Sequence, residues 1–538
     1  MSIIAGFHSG HDCSFCILKD GVPVIHAELE RYIRLKEPID DSLKFLFEKY
    51  DDFDGIQHFT TGIDIWEGGP HIRFPDTWNK AEEISKKNGG KINIFGHHLS
   101  HAANAFFSSN YDESLIITID GGGEEQTDDE FLGACHFAVY WGEGNKVYRI
   151  DAFDDKGKRP LVNIGSFWSK CTKHIFGLSA GYPYGHQAGT VMGMACLGES
   201  KYLSDFLEHL RGGNQVDYSH FKNIADKSEQ DTFDVASSLQ EATEIRFREL
   251  ITPYIEKYDY ENLCISGGVS LNCVMAGKIQ DWFPSIKSVY ADPIPYDAGL
   301  TLGSARYLWH HVLDNPRIKW EDNSSPYLGE LYTREDVDSV LKKYEDKLVV
   351  TETDDEKVLD HLINKKIVSV FGGGSESGRR ALGNRSILAD PRHAETKDIV
   401  NERVKHRQWF RPFAPSIMRE YVSDWFKRDK SSPYMSFAIP LKDSVKDKIP
   451  AVVHFDGTAR LQTVSKGDNE WYYNFISKFN EKTGVPILLN TSFNDREPIV
   501  ENPEHAIKCF YGTEIDYLYF REYNLLVERR QTGDEIND

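Results

Sequence analysis

The chain has 538 residues, 40% hydrophobic and 12% aromatic, more than one core usually serves, so at least two large domains are expected. Lys and Arg total 62 against 84 Asp and Glu, a net charge of −22, which disfavours nonspecific nucleic-acid binding. No apolar run is long enough to span a bilayer, the first residues lack a signal-type segment, and the eight Cys form no dense framework, which together predict a cytoplasmic protein with reduced thiols and no membrane insertion.

The opening segment alternates a strand-like run over 3–7, a Gly/His/Asp turn with His11 and Asp12, a run over 14–18, the turn Lys19-Asp20-Gly21 and a run over 22–28. This predicts a β-meander. Cys13 and Cys16 read as small buried residues rather than a redox pair, because the run is strand-like and no helix start follows. In GHHLSHA, His97 and His101 are one helical turn apart, so both imidazoles face one side and suit one metal ion, although histidines at a helix cap show the same spacing. The metalloprotease signature needs Glu after the first His, where this chain has His98.

A second strand, turn and strand follow over 114–120, Gly121 to Gly123 and 131–140, with Asp120 before a glycine loop that a metal or phosphate could approach. Repetition of the unit suggests a duplicated α/β core. Helical spacing covers 233–258, then a strand over 263–265 and the turn Ser266-Gly267-Gly268, which opens a helix containing Asn272 and could offer its amides to nucleotide phosphates. Asp297, in PIPYDAGLTLGSA, precedes a small-residue helix start. Two His and two Asp make an N/O donor set that fits iron, manganese or zinc.

The stretch 321–330 is polar, and beyond it the vocabulary changes from His/Asp/Gly to Arg/Lys/Asn, which predicts domains of 1–345 and 346–538. The second part begins with a helix over 355–365, a strand over 367–371 and the turn Gly372-Gly373-Gly374. Arg379, Arg380, Arg385, Arg392, Lys405, Arg407 and Arg411 then crowd one segment, and Arg460 follows in HFDGTARLQTV. Such a locus neutralises a polyanion, unless it is consumed by ion pairs with Asp390, Glu395 and Asp398. A buried strand over 486–489 ends in Asn490, Thr491, Ser492, Phe493 and Asn494, neutral hydrogen-bonding groups at the kind of strand end that faces ligands.

With these motifs in order, including ELERYIRLK, HHLSHAA, TIDGGGE, SGGVSLNC, RRALGNRSILADPR, KHRQWFRPFAP and NTSFN, the chain resembles the O-carbamoyltransferases of the nodulation and antibiotic-biosynthesis type over nearly its whole length. The resemblance implies an α/β fold: a duplicated actin and sugar-kinase-like domain followed by a YrdC-like α/β domain. It implies that the second domain makes carbamoyl-adenylate from carbamoyl phosphate and ATP, which could bring Mg(II), and that the first transfers the carbamoyl group to an acceptor hydroxyl. Carried over by motif, the metal ligands are His97, His101, Asp120 and Asp297, around Fe(II) or another divalent ion, and His11 is the general base. Gly267, Gly268 and Asn272 contact the nucleotide, while Arg380, Lys405, Arg411, Arg460, Asn490 and Ser492 hold carbamoyl phosphate and ATP. Family acceptors include aminoglycosides, Nod factors, cephems and polyketides, and a hydroxymethylated pyrimidine in DNA offers the same primary alcohol. The chain departs from the family pattern at Thr190, a commonly basic position, at Ser377 to Arg379, and in the short segment Asp495 to Glu497. A sugar kinase of the same superfold and a noncatalytic nucleotide or metal scaffold are the competing readings. Release of pyrophosphate from ATP that depends on carbamoyl phosphate separates them.

Overall fold

The computed structural model describes residues 2–38, 43–50, 55–62, 75–126, 131–154, 161–179, 187–319 and 326–530. Contacts divide the chain into the units Met1–Ser325 and Pro326–Asp538. In the first unit, β1 (Ile3–His8), β2 (Ser14–Lys19) and β3 (Val22–Glu28) form the expected antiparallel meander. Its second hairpin turns on Asp20 and Gly21, both at positive φ (49° and 83°), the backbone an Asp-Gly pair favours between two strands. Then β4 (Ile56–Gly62) pairs parallel to β1 and β5 (Lys91–Phe95) parallel to β4, giving the order β3-β2-β1-β4-β5.

The same plan recurs in β6 (Glu113–Gln126), β7 (Phe131–Glu143), β8 (Lys146–Asp154), β9 (Asn262–Ser266) and β10 (Ser288–Ala291). Their order is β8-β7-β6-β9-β10, again an antiparallel meander continued by two parallel strands. One topology used twice is the duplicated core of the actin and sugar-kinase fold. Aromatic side chains fill the first half: Phe7, Phe15, Phe47 and Phe59 are almost wholly buried, with ring centroids of successive neighbours 5.3 to 6.2 Å apart. Burial of each such ring stabilises by about 1.5–3 kcal/mol.

Four helices position the site: α1 (His97–Ser108) after β5, α2 (Glu229–Lys257), α3 (Cys273–Trp282) between β9 and β10, and α4 (Leu300–Arg306) after β10. By the repeat, α1 and α4 are counterparts, and they touch closely. A Cβ on Gly303 of α4 would lie 1.9 Å from the Ser100 carbonyl oxygen of α1, so the small residues after Asp297 serve helix packing. No helix among the described residues is long and apolar enough to cross a membrane.

Two local expectations are corrected. The strand does not end at Asp120; β6 continues to Gln126, with its register against β7 shifting between Ile119 and Gly123. Asn272 is not inside a helix either, because a 3-10 turn (Gly268–Leu271) intervenes and the Asn272 side chain caps α3 by accepting from the Met275 amide.

In the second unit, the strands are β11 (Leu348–Glu352), β12 (Val368–Phe371), β13 (Arg385–Ala389), β14 (Ala414–Met418), β15 (Phe437–Pro440), β16 (Thr458–Val464), β17 (Ile487–Ser492), β18 (Tyr517–Phe520) and β19 (Leu525–Arg529). They form one sheet ordered β11-β19-β18-β12-β13-β17-β14-β16-β15, antiparallel except at β12/β18 and β14/β16. The unit begins at Pro326, earlier than the boundary expected after residue 345. The reason is hydrogen bonding: the Pro326 carbonyl accepts from the Ser377 amide at 2.8 Å, the Gly329 amide donates to the Ser375 carbonyl at 3.0 Å, and the Tyr327 hydroxyl donates to the Leu382 carbonyl at 3.1 Å. Residues 321–325, where the polar stretch begins, lie outside the described residues.

Candidate active site

His97, His101, Asp120 and Asp297 converge in the first unit, all buried, with one donor atom from each within 4.8 Å of the others. The Nε2 atoms of His97 and His101 are 3.2 Å apart. His101 Nε2 lies 3.2 Å from Asp120 Oδ2 and 3.5 Å from Asp297 Oδ1, and His97 Nε2 lies 3.5 Å from Asp297 Oδ1. The duplicated topology explains the meeting. The histidines open α1, and Asp297 stands just before its counterpart α4; Asp120 lies on β6, the counterpart of β1, which leads into the turn carrying His11.

Glycine makes the room. A Cβ on Gly123 would sit 2.0 Å from the His97 ring, so the last glycine of TIDGGGE marks a close approach of strand to imidazole rather than an open loop. Gly267, at φ 89°, could not carry a Cβ, which would lie 2.2 Å from the Ile119 carbonyl oxygen. That approach lets the Gly268 amide donate to Asp120 Oδ2 at 2.7 Å, while the Gly121 amide donates to the other oxygen. Asp120 is therefore aimed by two backbone donors.

The charges compensate one another. Burial disfavours a charge on His101, but hydrogen bonds to Asp120 and Asp297 outweigh it and raise its pKa. Burial likewise opposes the Asp120 charge, yet the His101 hydrogen bond holds that carboxyl well below the usual range. His98, between the two, is a structural residue. Its Nδ1 meets Thr118 Oγ1 and its Nε2 the Cys135 carbonyl, each at 2.9 Å, and burial pushes its pKa down to about 3. Two imidazole nitrogens and two carboxylate oxygens at this spacing fit a divalent ion with N/O preference.

His11 stands at the rim. Its Nε2 is 3.2 Å from Asp297 Oδ2, its Nδ1 is 2.8 Å from Asp12 Oδ2, and its side chain is 52% exposed. The Gly267-Gly268 turn adjoins the cluster through Asp120, but Asn272 turns to α2, exchanging amide hydrogen bonds with Gln240 at 2.8 and 3.1 Å. Gln240 in turn donates to Glu244, which pairs with Lys278 at 2.6 Å. Sequence reasoning missed this network because its members are joined across helices. The cysteine reading holds: Cys13 and Cys16 are buried thiols not joined in a disulfide, and burial raises Cys16 to about 12.

In the second unit the cationic segment separates into roles. Arg385 is wholly buried, stacked 3.6 Å from the Phe371 ring centroid and donating to the Gly372 and Gly373 carbonyls at 2.9 and 3.1 Å. Arg392 pairs with Asp390 at 2.6 Å. Lys405 is buried and donates to the Ser492 carbonyl at 2.9 Å and to the Asn494 carbonyl and Oδ1 at 2.6 and 2.5 Å. The next residues of each segment also meet: His406 Nδ1 lies 3.1 Å from Asp495, and Arg496 donates to the His406 carbonyl. Asn490 is buried against Gln462, Ser416 and the Ala381 carbonyl. Arg380 is partly buried on the loop after Gly374.

Arg407, Arg411 and Arg460 lie near enough to feel one another's charge. Burial and the Arg460 charge lower Arg411 to about 10, and burial with both neighbours lowers Arg407 well below its usual value. Among the described residues neither Arg407 nor Arg411 makes an ion pair. Arg407, present in the cationic segment but not among the residues carried over, adds its charge to this group while donating to Asn401 Oδ1 at 2.7 Å and to the Pro412 carbonyl at 3.3 Å; its place in KHRQWFRPFAP was the available signal.

The family described as Carbamoyltransferase N-terminus matches residues 56–306, and the one described as Carbamoyltransferase C-terminus matches 359–527. Nodulation protein NolNO of Sinorhizobium fredii is 30% identical over 98% of this chain and 80% of its own length. Nodulation protein NolO of Bradyrhizobium diazoefficiens is 33% identical over 78% of this chain and 77% of its own. Among solved structures, HypF of T. kodakarensis is similar with a TM-score of 0.37 and 15% identity, over 60% of this chain and 48% of that one.

Proposed function

The chain belongs to the carbamoyltransferase family, and from that premise we propose an ATP-dependent, cytoplasmic O-carbamoyltransferase working in two half-reactions. In the first, in a YrdC-like unit, Pro326–Asp538, water cleaves carbamoyl phosphate to carbamate and phosphate, the carbamate oxygen attacks the α-phosphorus of ATP, and the bond from that phosphorus to the leaving pyrophosphate breaks, giving carbamoyl-adenylate. Arg380, Arg411 and Arg460 take the anionic oxygens, for which a guanidinium is a fixed donor fork. Lys405, Asn490 and Ser492 shape the strand end beside them.

In the second half-reaction, the acceptor oxygen attacks the carbamoyl carbon, the bond from that carbon to the adenylate oxygen breaks, and AMP leaves. His11 takes the acceptor's proton at Nε2 while Asp12 fixes the ring through Nδ1. His97, His101, Asp120 and Asp297 would hold a divalent ion, Fe(II) on the resemblance, and the Gly267-Gly268 turn flanks the nucleotide, with Asn272 supporting that turn from α3 through Gln240 and the Met275 amide. Bound there, the ion supplies Lewis acidity at the reacting group. The acceptor is a hydroxyl on a small molecule, a sugar or a hydroxymethylated pyrimidine in DNA.

The observation that carries this reading is the convergence of two histidines and two aspartates beside a partly exposed His11, in a chain of this family. The test measures pyrophosphate release from ATP with and without carbamoyl phosphate, and screens hydroxyl acceptors by mass for a gained carbamoyl group. Pyrophosphate release indifferent to carbamoyl phosphate, with no carbamoylated acceptor, would sink it.

A further inference from the structure

The helix that carries His97 and His101 lacks a cap of its own. The first amides of a helix have no partner within it, and Ser, Thr, Asp or Asn usually supplies one from the N-cap position. Here the N-cap is Gly96, which has no side chain to offer. The missing group comes from the neighbouring sheet: Glu125 of β6 is 1% exposed, and its Oε2 accepts from the Leu99 amide, the third of α1, at 3.2 Å. Its Oε1 lies 3.7 Å from Arg149 of β8. Space is shared with no surplus, since a Cβ on Gly96 would sit 2.5 Å from Glu125 Oε1. Gly96 and Glu125 therefore fit together, the glycine leaving the volume that the carboxylate fills.

We propose that Glu125 is a positioning residue for the metal site, acting as the cap of α1 from another strand and so fixing where His97 and His101 present their Nε2 atoms. His97 is the first residue of α1 and His101 is one turn on, so the position of that first turn sets the separation of the two imidazoles. Asp120 lies on the same strand as Glu125. One strand thus supplies a ligand directly and aims two others through the helix terminus.

The inference rests on the metal reading above, and the test separates the two. Purified full-length chain is titrated with Co(II) alone, following its visible absorption bands, which report coordination geometry. Wild type that takes up no Co(II) overturns the metal reading itself. If wild type binds, E125A is expected to weaken Co(II) by roughly ten- to a hundredfold, the usual range for loss of a group that orients metal ligands, with altered bands. E125Q keeps a carbonyl acceptor for the Leu99 amide and should retain wild-type affinity and spectrum. The decisive variant is G96S in the E125A background: Gly96 has φ −56° and ψ 145°, which serine adopts, and removal of the Glu125 carboxylate leaves room for a conventional cap. G96S/E125A should recover affinity and bands, whereas G96S alone should lose them by clash. Wild-type affinity and spectrum in E125A would overturn the proposal, as would a folded G96S/E125A that stays as weak as E125A. Far-UV circular dichroism and the urea unfolding transition of the full chain, compared with wild type, serve as the folding control for each variant.

Discussion

The two clusters, one in each unit, treat buried charge in opposite ways. In Met1–Ser325, two carboxylates face two imidazoles, each acid lies within 3.5 Å of His101, and backbone amides complete Asp120. There Asp120 and His101 each favour the other's charged form. In Pro326–Asp538, Arg407, Arg411 and Arg460 press on one another, and the shifts of Arg407 and Arg411 come from burial and like charge with no acid contributing. Like charges gathered where solvent is partly excluded oppose folding, and an anion relieves them. The first site thus suits a metal held in place of shared protons. The second suits highly anionic substrates, whose charge it is built to meet.

The contrast breaks most sharply if one half-reaction is removed without the other. H101A removes the residue that touches the other three ligands, so metal content and carbamoyl transfer should fall below detection while carbamoyl-phosphate-dependent pyrophosphate release persists. Loss of both activities together would mean the two clusters do not divide the chemistry. H11A should leave metal content and pyrophosphate release intact and slow transfer by about 10²- to 10⁴-fold, the range for a lost general base; transfer at the wild-type rate would assign proton removal elsewhere. R460A removes one charge-assisted contact, about 1.5–3 kcal/mol, so kcat/KM for adenylate formation should fall by roughly ten- to a hundredfold. Metal content should not move. An R460A variant with altered metal content and normal pyrophosphate release would invert the assignment.

Much of this was legible in sequence where the signal is local. Alternating apolar residues and the Asp20-Gly21 turn announce the meander, and its recurrence over β6 and β7 announces the duplication. The four candidate ligands could be named because a helical turn separates His97 from His101 and each acid follows a strand-like run. What stayed hidden depends on partners distant in sequence. Arg385 and Arg411 look alike on paper, yet Arg385 is locked into backbone carbonyls and Arg411 is not. Gly121 to Gly123 read as a loop because glycine usually ends a strand, whereas here the missing Cβ of Gly123 admits His97. Residues 326–345 fell on the first-domain side of the expected boundary, and hydrogen bonds of Pro326, Tyr327 and Gly329 with residues 375–382 assign their start to the second unit.

The smallest effect concerns an acid behind the compensated site. Asp292 is buried, its Oδ1 accepts from Asn104 of α1 at 3.0 Å and from the Ile294 amide at 2.7 Å, and burial raises its pKa from 3.8 to about 6 despite those bonds and the nearby Arg306 charge. Below pH 3.8 the carboxyl is neutral whether the chain is folded or not and contributes nothing to the balance. As pH rises from there to about 6 the unfolded chain loses the proton first, so stability falls, and above about 6 the full penalty persists. A displacement of about two pKa units corresponds to on the order of 2–3 kcal/mol. D292N keeps an acceptor for Asn104 and Ile294 but has no proton to lose. The urea midpoints of wild type and D292N should therefore diverge between pH 4 and pH 6 in favour of D292N, and then run parallel. A constant difference across that range would show that Asp292 is ionised in the folded chain, extending the compensated charge of the first unit beyond its four ligands.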